Sequence, residues 1–465
     1  MDLMDIQAKV PFSRDVVAAW HERSGAMRRL MPTWQQVQIE REPWPIENGV
    51  RGRIRLALPG PFSMAWEMEL EQVRPGHGFV DRQIKGPFAE WIHEHGFSDA
   101  TMDGQPACVL HDKVNYRLPG GFLGKALGGG KIRRDLDAMF KVRHVRLGED
   151  LRRHAEEGPG RSLRIGITGS SGLVGRNLSS FLSTGGHEVI PMVRREARPG
   201  TSEVRWDPDQ CQADSSGLEG LDAVVHLAAA GIADQRWSKE RKALIRSSRV
   251  LGTRFLCEVL AELKSPPKVL VSASAIGFYG ATDQVVDESA PCGSGLLPEI
   301  CREWEDATAL AKESGIRVVL PRIGVVLSPQ GGALAKLLPV TNFGLLGPVG
   351  NGRQGMSTIG MDDLIYMIHR AVADESVVGA FNAVGPDPMS QRDFARVLGR
   401  VMRRPSFAPL PAFMVKLLFG EMGERLLLDG QFVEPKRMID AGYRFAQPMV
   451  EDVLRLQLGR LASSS

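Results

Sequence analysis

Cysteine is sparse and unpatterned in this chain. Its five cysteines, Cys108, Cys211, Cys257, Cys292 and Cys301, are odd in number and lack CxxC spacing, which excludes a disulfide framework and suits free thiols in a reducing compartment. A Lys/Arg block and an interleaved aromatic platform are missing too. The formal net charge of +3 is spread along the chain, so no nucleic-acid partner is expected. No stretch offers about 18 consecutive apolar residues. MDLMDIQAKV has no basic head leading into a long apolar run, so neither membrane attachment nor a secretory leader is expected, and the chain is assigned to the cytoplasm.

What is present is the composition of a soluble globular protein, 43% hydrophobic and 24% charged over 465 residues. That length exceeds one ordinary core, since domains usually hold about 100 to 200 residues. Three domains are expected, over residues 1–155, 163–403 and 404–460. In the first, apolar/polar alternation predicts strands over 50–58, 64–73, 79–85 and 107–116. A glycine-rich stretch over 118–130 then precedes a closing helix over 131–157, and EEGPGRS reads as a linker. From Leu163 onward short apolar runs alternate with helical stretches, which predicts an α/β fold, a doubly wound parallel sheet with helices on both faces. Beyond Arg403 the pattern is that of a small helical cap.

The segment RIGITGSSGLVGRNL supplies strand, tight turn and helix in order, with Gly169, Gly172 and Gly175 at GxxGxxG spacing. Gly169 permits the sharp exit from the strand, Gly172 lets the backbone approach a pyrophosphate, and Gly175 lets the helix pack closely on the sheet. The anion then meets unpaired N–H groups at the helix start. Ser170, Ser171, Leu173 and Val174 complete this expected cofactor cradle. HEVIPMV predicts the second strand, whose end carries an acid where the adenosine ribose of NAD is bound. Arg194 and Arg195 stand there instead, with no acid competing nearby. A guanidinium donates paired, charge-assisted hydrogen bonds to a 2′-phosphate that a carboxylate would repel, so the expected cofactor is NADP(H).

These residues resemble the extended short-chain dehydrogenase/reductase superfamily, and more narrowly its atypical epimerase-like family, nucleoside-diphosphate-sugar epimerase-related. The likeness continues through DAVVHLAAAGIADQRWSKERKALIRSSRVLGTRFL, VSASAIGFYG and PLPAFMVKLLFGEMGERLLLDGQFVEPKRMIDAGYRF, so it spans Ser162 to about Leu458. It implies a Rossmann NADP-binding domain with a family-specific C-terminal cap, in which Leu227, Ala228 and Ala229 line the cofactor. Ser274 resembles the superfamily's catalytic serine, and Tyr279 lies just beyond it. Arg249 takes the place of an Asn that relatives carry in NVxGT, where a guanidinium would pair with cofactor phosphate or an anionic substrate. Arg322 and Leu327 are implied beside the nicotinamide. Relatives use a Tyr and, four positions later, a Lys that lowers its pKa. Counting back from Trp304 and Glu305 puts Leu297 and Cys301 there, and Gly360 stands where relatives often carry a His.

The first 150 residues resemble the START-like (SRPBCC) ligand-cavity superfamily through WHERSGAMRRLMPTW and GPFAEWIHEHGF. That resemblance implies a helix-grip sheet around a cavity for a hydrophobic ligand. Alternation in WIHEHGF puts Trp91, His93 and His95 on one strand face. The sequence offers the two histidines no third ligand, so no metal is expected and they are read as paired with polar partners. Cys108 and His111 are read as packing residues. Two functional readings follow: an NADP(H)-dependent oxidoreductase or epimerase-like enzyme acting on a small-molecule substrate, or a non-catalytic protein that senses NADP(H) and carries a hydrophobic ligand. Oligomeric state is not legible.

Overall fold

The computed structural model describes residues 2–58, 60–158 and 160–461. It divides into two compact units, one built mainly from residues up to Arg161 and the other from Ser162–Ser179 and Glu188–Gln457. The C-terminal segment expected as a third domain is counted within the second unit up to Gln457. Among the described residues, no helix is long and apolar enough to cross a membrane.

The first unit holds β1 (Asp2–Val10), α1 (Arg14–Glu22), α2 (Ala26–Leu30), β2 (Val37–Arg41), β3 (Arg51–Ala57), β4 (Ser63–Arg74), β5 (Gly78–Lys85), β6 (Glu90–Met102), β7 (Gln105–Arg117) and α3 (Gly121–Glu156). The strands form one antiparallel sheet in the order β1-β7-β6-β5-β4-β3-β2. Every second residue of β7 from Cys108 to Tyr116 is buried, because the pleat turns those side chains to one face. On that face Met4, Trp91, Val114 and Tyr116 meet Leu136 and Phe140 of α3, each such burial contributing about 1.5–3 kcal/mol. The expected strands all form, extended by one or two residues at most of their ends. α3 begins at Gly121, ten residues before the expected start at Lys131. Glycine costs about 1 kcal/mol in a helix, which weakens the signal without forbidding the turn once Leu136 and Phe140 anchor the rest.

The second unit is built on seven parallel strands: β8 (Arg164–Thr168), β9 (Glu188–Val193), β10 (Val204–Asp207), β11 (Ala223–His226), β12 (Val269–Ser272), β13 (Arg317–Ile323) and β14 (Gly379–Ala383). Their order is β10-β9-β8-β11-β12-β13-β14. Ile165, Ile167, Val224, Val225, Leu270 and Val271 are all fully buried, as a sheet covered by helices on both faces demands. The covering helices include α4 (Leu173–Thr184), α5 (Lys239–Ala261), α6 (Leu296–Asp306) and α7 (Gln391–Met402). Strand order reverses between β8 and β11, and ligands of such sheets bind beyond the strand ends at that switch point.

Candidate functional site

β8 ends at Thr168, and the chain turns through Gly169 into α4. Gly169 has a φ of +68°, and a Cβ on it would come within 3.0 Å of the Leu227 and Ala228 backbone. A Cβ on Gly175 would stand 2.2 Å from the Gly169 carbonyl oxygen. Both positions therefore exclude any side chain, and the close approach they allow forms a cradle at the N-terminus of a twelve-residue helix. Ser171 and Gly172 are exposed on its rim, with Ser170, Leu173 and Val174 half-buried.

The loop after β11 is fixed from beneath. The Thr168 hydroxyl accepts the amides of Leu227 and Ala228 at 3.1 and 3.2 Å, so its own proton goes to His226 Nδ1 at 2.7 Å. His226 Nε2 then carries the ring proton and donates to Thr253 Oγ1 at 3.1 Å, which also accepts from Trp304 Nε1 at 2.9 Å. Burial drives the His226 pKa down to about 4, so the ring is neutral, as this arrangement requires. Arg249 adds to the same scaffold. Its Nη1 donates to the Ala230 and Ile245 carbonyls at 3.1 and 3.0 Å, and its guanidinium lies over the Trp304 ring. Arg249, expected to serve an anion, thus has its Nη1 on one loop carbonyl and one carbonyl of its own helix.

The two arginines after β9 differ. Arg195 and Arg198 both grip Glu203 at 2.6 Å, and Glu203 is only 5% exposed and held well below the usual carboxylate range by these bonds. The expectation that no acid stands nearby is thereby corrected. Glu203 precedes β10, which pairs with β9, and so returns beside Arg195. Arg194 is 73% exposed, with Asp209 3.5 Å away as its ion-pair partner among the described residues. Such a surface pair is worth less than about 1 kcal/mol, so Arg194 is the guanidinium available at this strand end.

Towards the opposite edge of the sheet, Ser274, on a two-residue strand (Ser274–Ala275) that follows β12, sits beside Arg322 of β13, and Arg322 beside Asn382 of β14. Ser274 donates to Glu305 at 2.6 Å, and Arg322 holds both Glu305 oxygens at 2.8 Å. Arg322 Nη1 also donates to the Tyr279 hydroxyl at 3.0 Å, and Tyr279 donates to Asn382 Oδ1 at 2.7 Å. Ser274 and Tyr279 are thus brought into one buried network. Burial raises the Tyr279 pKa despite Arg322 beside it, so the phenol stays protonated. Glu305 is a member that sequence reasoning passed over, having served only as a landmark. It lies on the α6 face that also carries Leu297 and Cys301, both of which look onto Gly277. Neither can replace the missing pair: Leu297 has no proton, and burial pushes the Cys301 thiol up to about 12. Leu327, expected beside the nicotinamide, is fully buried. A side chain at Gly360 would press on Val453.

Residues 165–383 match the NAD dependent epimerase/dehydratase family, and residues 410–456 match a domain of unknown function, DUF1731. An epimerase family protein of Mycobacterium tuberculosis is 39% identical over 291 residues, covering 62% of this chain and 96% of that protein. The chain belongs to the epimerase family. This family member also resembles the human epimerase family protein SDR39U1, at 32% identity over 63% of this chain and 99% of that one. A structure of human SDR39U1 with NADPH matches at 31% identity and a TM-score of 0.60, over 64% of this chain and all of that one. A structure described as the nucleoside-diphosphate sugar epimerase from Corynebacterium glutamicum matches at 32% identity and a TM-score of 0.80, over 98% of this chain and 90% of that one.

The first unit of this epimerase-family chain contains a cavity of about 280 Å³ between sheet and helices. Its wall is mostly apolar, with Trp66, Phe79, Trp91, Leu136 and Met139, but it also carries Asp81, His93 and His95. The expectation that the two histidines lack a third ligand is corrected here. Asp81 on β5 lies directly opposite His93, and Asp112 on β7 opposite His95. The register unites residues that lie 12 and 17 positions away in sequence from their partners. Burial opposes charge on His93, but the two aspartates outweigh it and raise its pKa to about 9. Cys108 is fully buried, whereas His111 faces outward and bonds Asp5 at 2.7 Å, so these two form no catalytic pair.

Proposed function

We propose that this chain is an NADP(H)-dependent oxidoreductase or epimerase-like enzyme of the cytoplasm, acting on a small molecule at the C-terminal edge of the second unit's sheet. The observation that carries the cofactor choice is Arg194, exposed at the end of β9 while its neighbour is tied to Glu203. The cradle fits a dinucleotide, since a Cβ at Gly169 or Gly175 would fill it. Gly169, Ser170, Ser171, Gly172 and the start of α4 would hold the pyrophosphate, Arg194 the 2′-phosphate, and the Leu227–Ala228 backbone the adjoining ribose. The NADPH in the human relative's structure supports the same choice. When bound, this cofactor supplies hydride exchange at its nicotinamide.

The chain's own part is to orient substrate and move a proton. Tyr279, kept protonated by burial and polarised by Arg322, suits proton donation to a substrate oxygen rather than abstraction from one. Ser274 would position that oxygen. In the structure Ser274 gives its proton to Glu305 and Tyr279 gives its own to Asn382, so each would exchange that acceptor for the substrate oxygen as substrate binds. For the first unit we propose a START-like role, its cavity taking a hydrophobic ligand. The element order, seven antiparallel strands closed by the long helix α3, supports that reading.

Deuteride transfer tests the enzymatic part. Purified protein loaded with 4-deuterated NADPH should pass the label stereospecifically to a member of a broad carbonyl and nucleotide-sugar panel, and Tyr279→Phe should slow this by about 100-fold, the scale of one general acid. Tight NADPH binding without label transfer to any panel member would reject catalysis and leave a sensing role.

A further inference from the structure

The geometry points to a divalent transition-metal site in the first unit, formed by Asp81, His93 and His95. His93 Nδ1 and His95 Nε2 lie 3.2 and 3.1 Å from the same oxygen, Asp81 Oδ2, and all three donor atoms fall within 4.8 Å of one another. Zinc–nitrogen and zinc–oxygen bonds run about 2.0–2.2 Å, so ligand atoms around a tetrahedral ion stand roughly 3.3 Å apart. The observed separations are close to that edge.

The surroundings are those of a built site. The outer nitrogens of both rings, His93 Nε2 and His95 Nδ1, face Asp112 Oδ1 at 2.9 and 3.3 Å. A carboxylate behind each imidazole fixes the tautomer and makes the inner nitrogen a better ligand. Trp91 Nε1 donates to the second Asp81 oxygen at 3.1 Å, which turns Oδ2 towards the histidines. His144 Nε2 occupies the other Asp112 oxygen at 3.2 Å. Arg143, the nearby cation on α3, donates to the Leu30 carbonyl.

The two rings lie with centroids 3.8 Å apart, and an ion held by the two inner nitrogens leaves the outer nitrogen of each ring to face Asp112. Two imidazole nitrogens and one carboxylate oxygen suit Zn²⁺, Fe²⁺ or Co²⁺, and suit Mg²⁺ or Ca²⁺ poorly. Asp81, His93 and His95 all line the 280 Å³ cavity, so a coordination position not taken by protein opens onto it, available to an oxygen of an otherwise apolar ligand.

Full-length protein, stripped with chelator, would be titrated with Co²⁺ and followed by visible absorption. The site predicts one Co²⁺ per chain with a d–d band, displaced by one equivalent of Zn²⁺ and unaffected by Mg²⁺. His93→Asn and His95→Asn should each weaken Co²⁺ binding at least about 10–100-fold, while His111→Ala, an exposed histidine in the same sheet, leaves it unchanged. Should the buried variants fail to fold, proton NMR of the Co²⁺ form of the unaltered protein decides: two paramagnetically shifted, solvent-protected imidazole N–H signals are expected. Absence of stoichiometric Co²⁺ uptake, uptake unaltered in both folded histidine variants, or Co²⁺ binding without those two signals would overturn the site.

Discussion

The two units assemble their candidate sites by opposite means. In the second, the surface is backbone: Gly169 and Gly175 carry no side chain, and a turn, a helix start and the Leu227–Ala228 loop approach so closely that a Cβ on either glycine would strike backbone. The buried Thr168 and His226 and the half-buried Arg249 act from below, holding that backbone still. In the first unit the surface is side chain, with Asp81, His93 and His95 brought together in an apolar cavity by strand register. A backbone site tolerates change in its rim and none in its glycines. A side-chain site tolerates neither loss of a partner nor a slip of register, which would turn the whole group to the other face.

Four substitutions or conditions would break or sharpen this contrast. The largest effect is expected at Arg322, whose removal leaves Glu305 buried without its cation. Arg322→Met should cost the second unit about 3–5 kcal/mol, read as a drop in urea midpoint, with loss of any activity that depends on Tyr279. Next comes acid. His226 is neutral in the fold, with a pKa of about 4, and ordinary, near 6.5, when unfolded, so the unfolded chain binds the extra proton between those values. The stability from the neutral ring is therefore complete above pH 6.5 and is lost as pH falls towards 4, by up to about 3 kcal/mol. Urea midpoints measured at pH 7 and pH 5 should show this slope, and His226→Gln should flatten it.

Gly175→Ala should cost about 1–3 kcal/mol by overpacking while abolishing calorimetrically detectable NADPH binding, a far larger functional than structural loss. The smallest effect belongs to the first unit. Trp91→Phe removes one donor from Asp81 and should lower stability by about 1–2 kcal/mol, with NADPH affinity unchanged. If Trp91→Phe weakened NADPH binding as much as Gly175→Ala, the division of labour drawn here would be wrong.

Local signals were legible in the sequence and register was not. Glycine spacing, four strands of the first unit and the strand–helix alternation of the second could all be read from neighbours along the chain. β1 and β2 were missed as edge strands, and the start of α3 was hidden by glycines that resemble a loop. Glu203 escaped notice because it joins Arg195 only through the pairing of β9 with β10. The Ser274–Arg322–Asn382 row likewise needs the strand order before it exists. Asp112 gave the one unused hint, since it is an acid at an inward position of a strand whose neighbouring inward residues, Cys108, Leu110, Val114 and Tyr116, are apolar or aromatic.

The central claim is that Arg194 selects the phosphorylated dinucleotide. Isothermal calorimetry with NADPH and NADH on the unaltered chain and on Arg194→Ala tests it most directly. Charge-assisted hydrogen bonds worth about 1.5–3 kcal/mol predict roughly 10- to 100-fold preference for NADPH in the unaltered chain, falling towards parity in the variant. Equal affinities in the unaltered chain, or a preference that survives loss of Arg194, would contradict it.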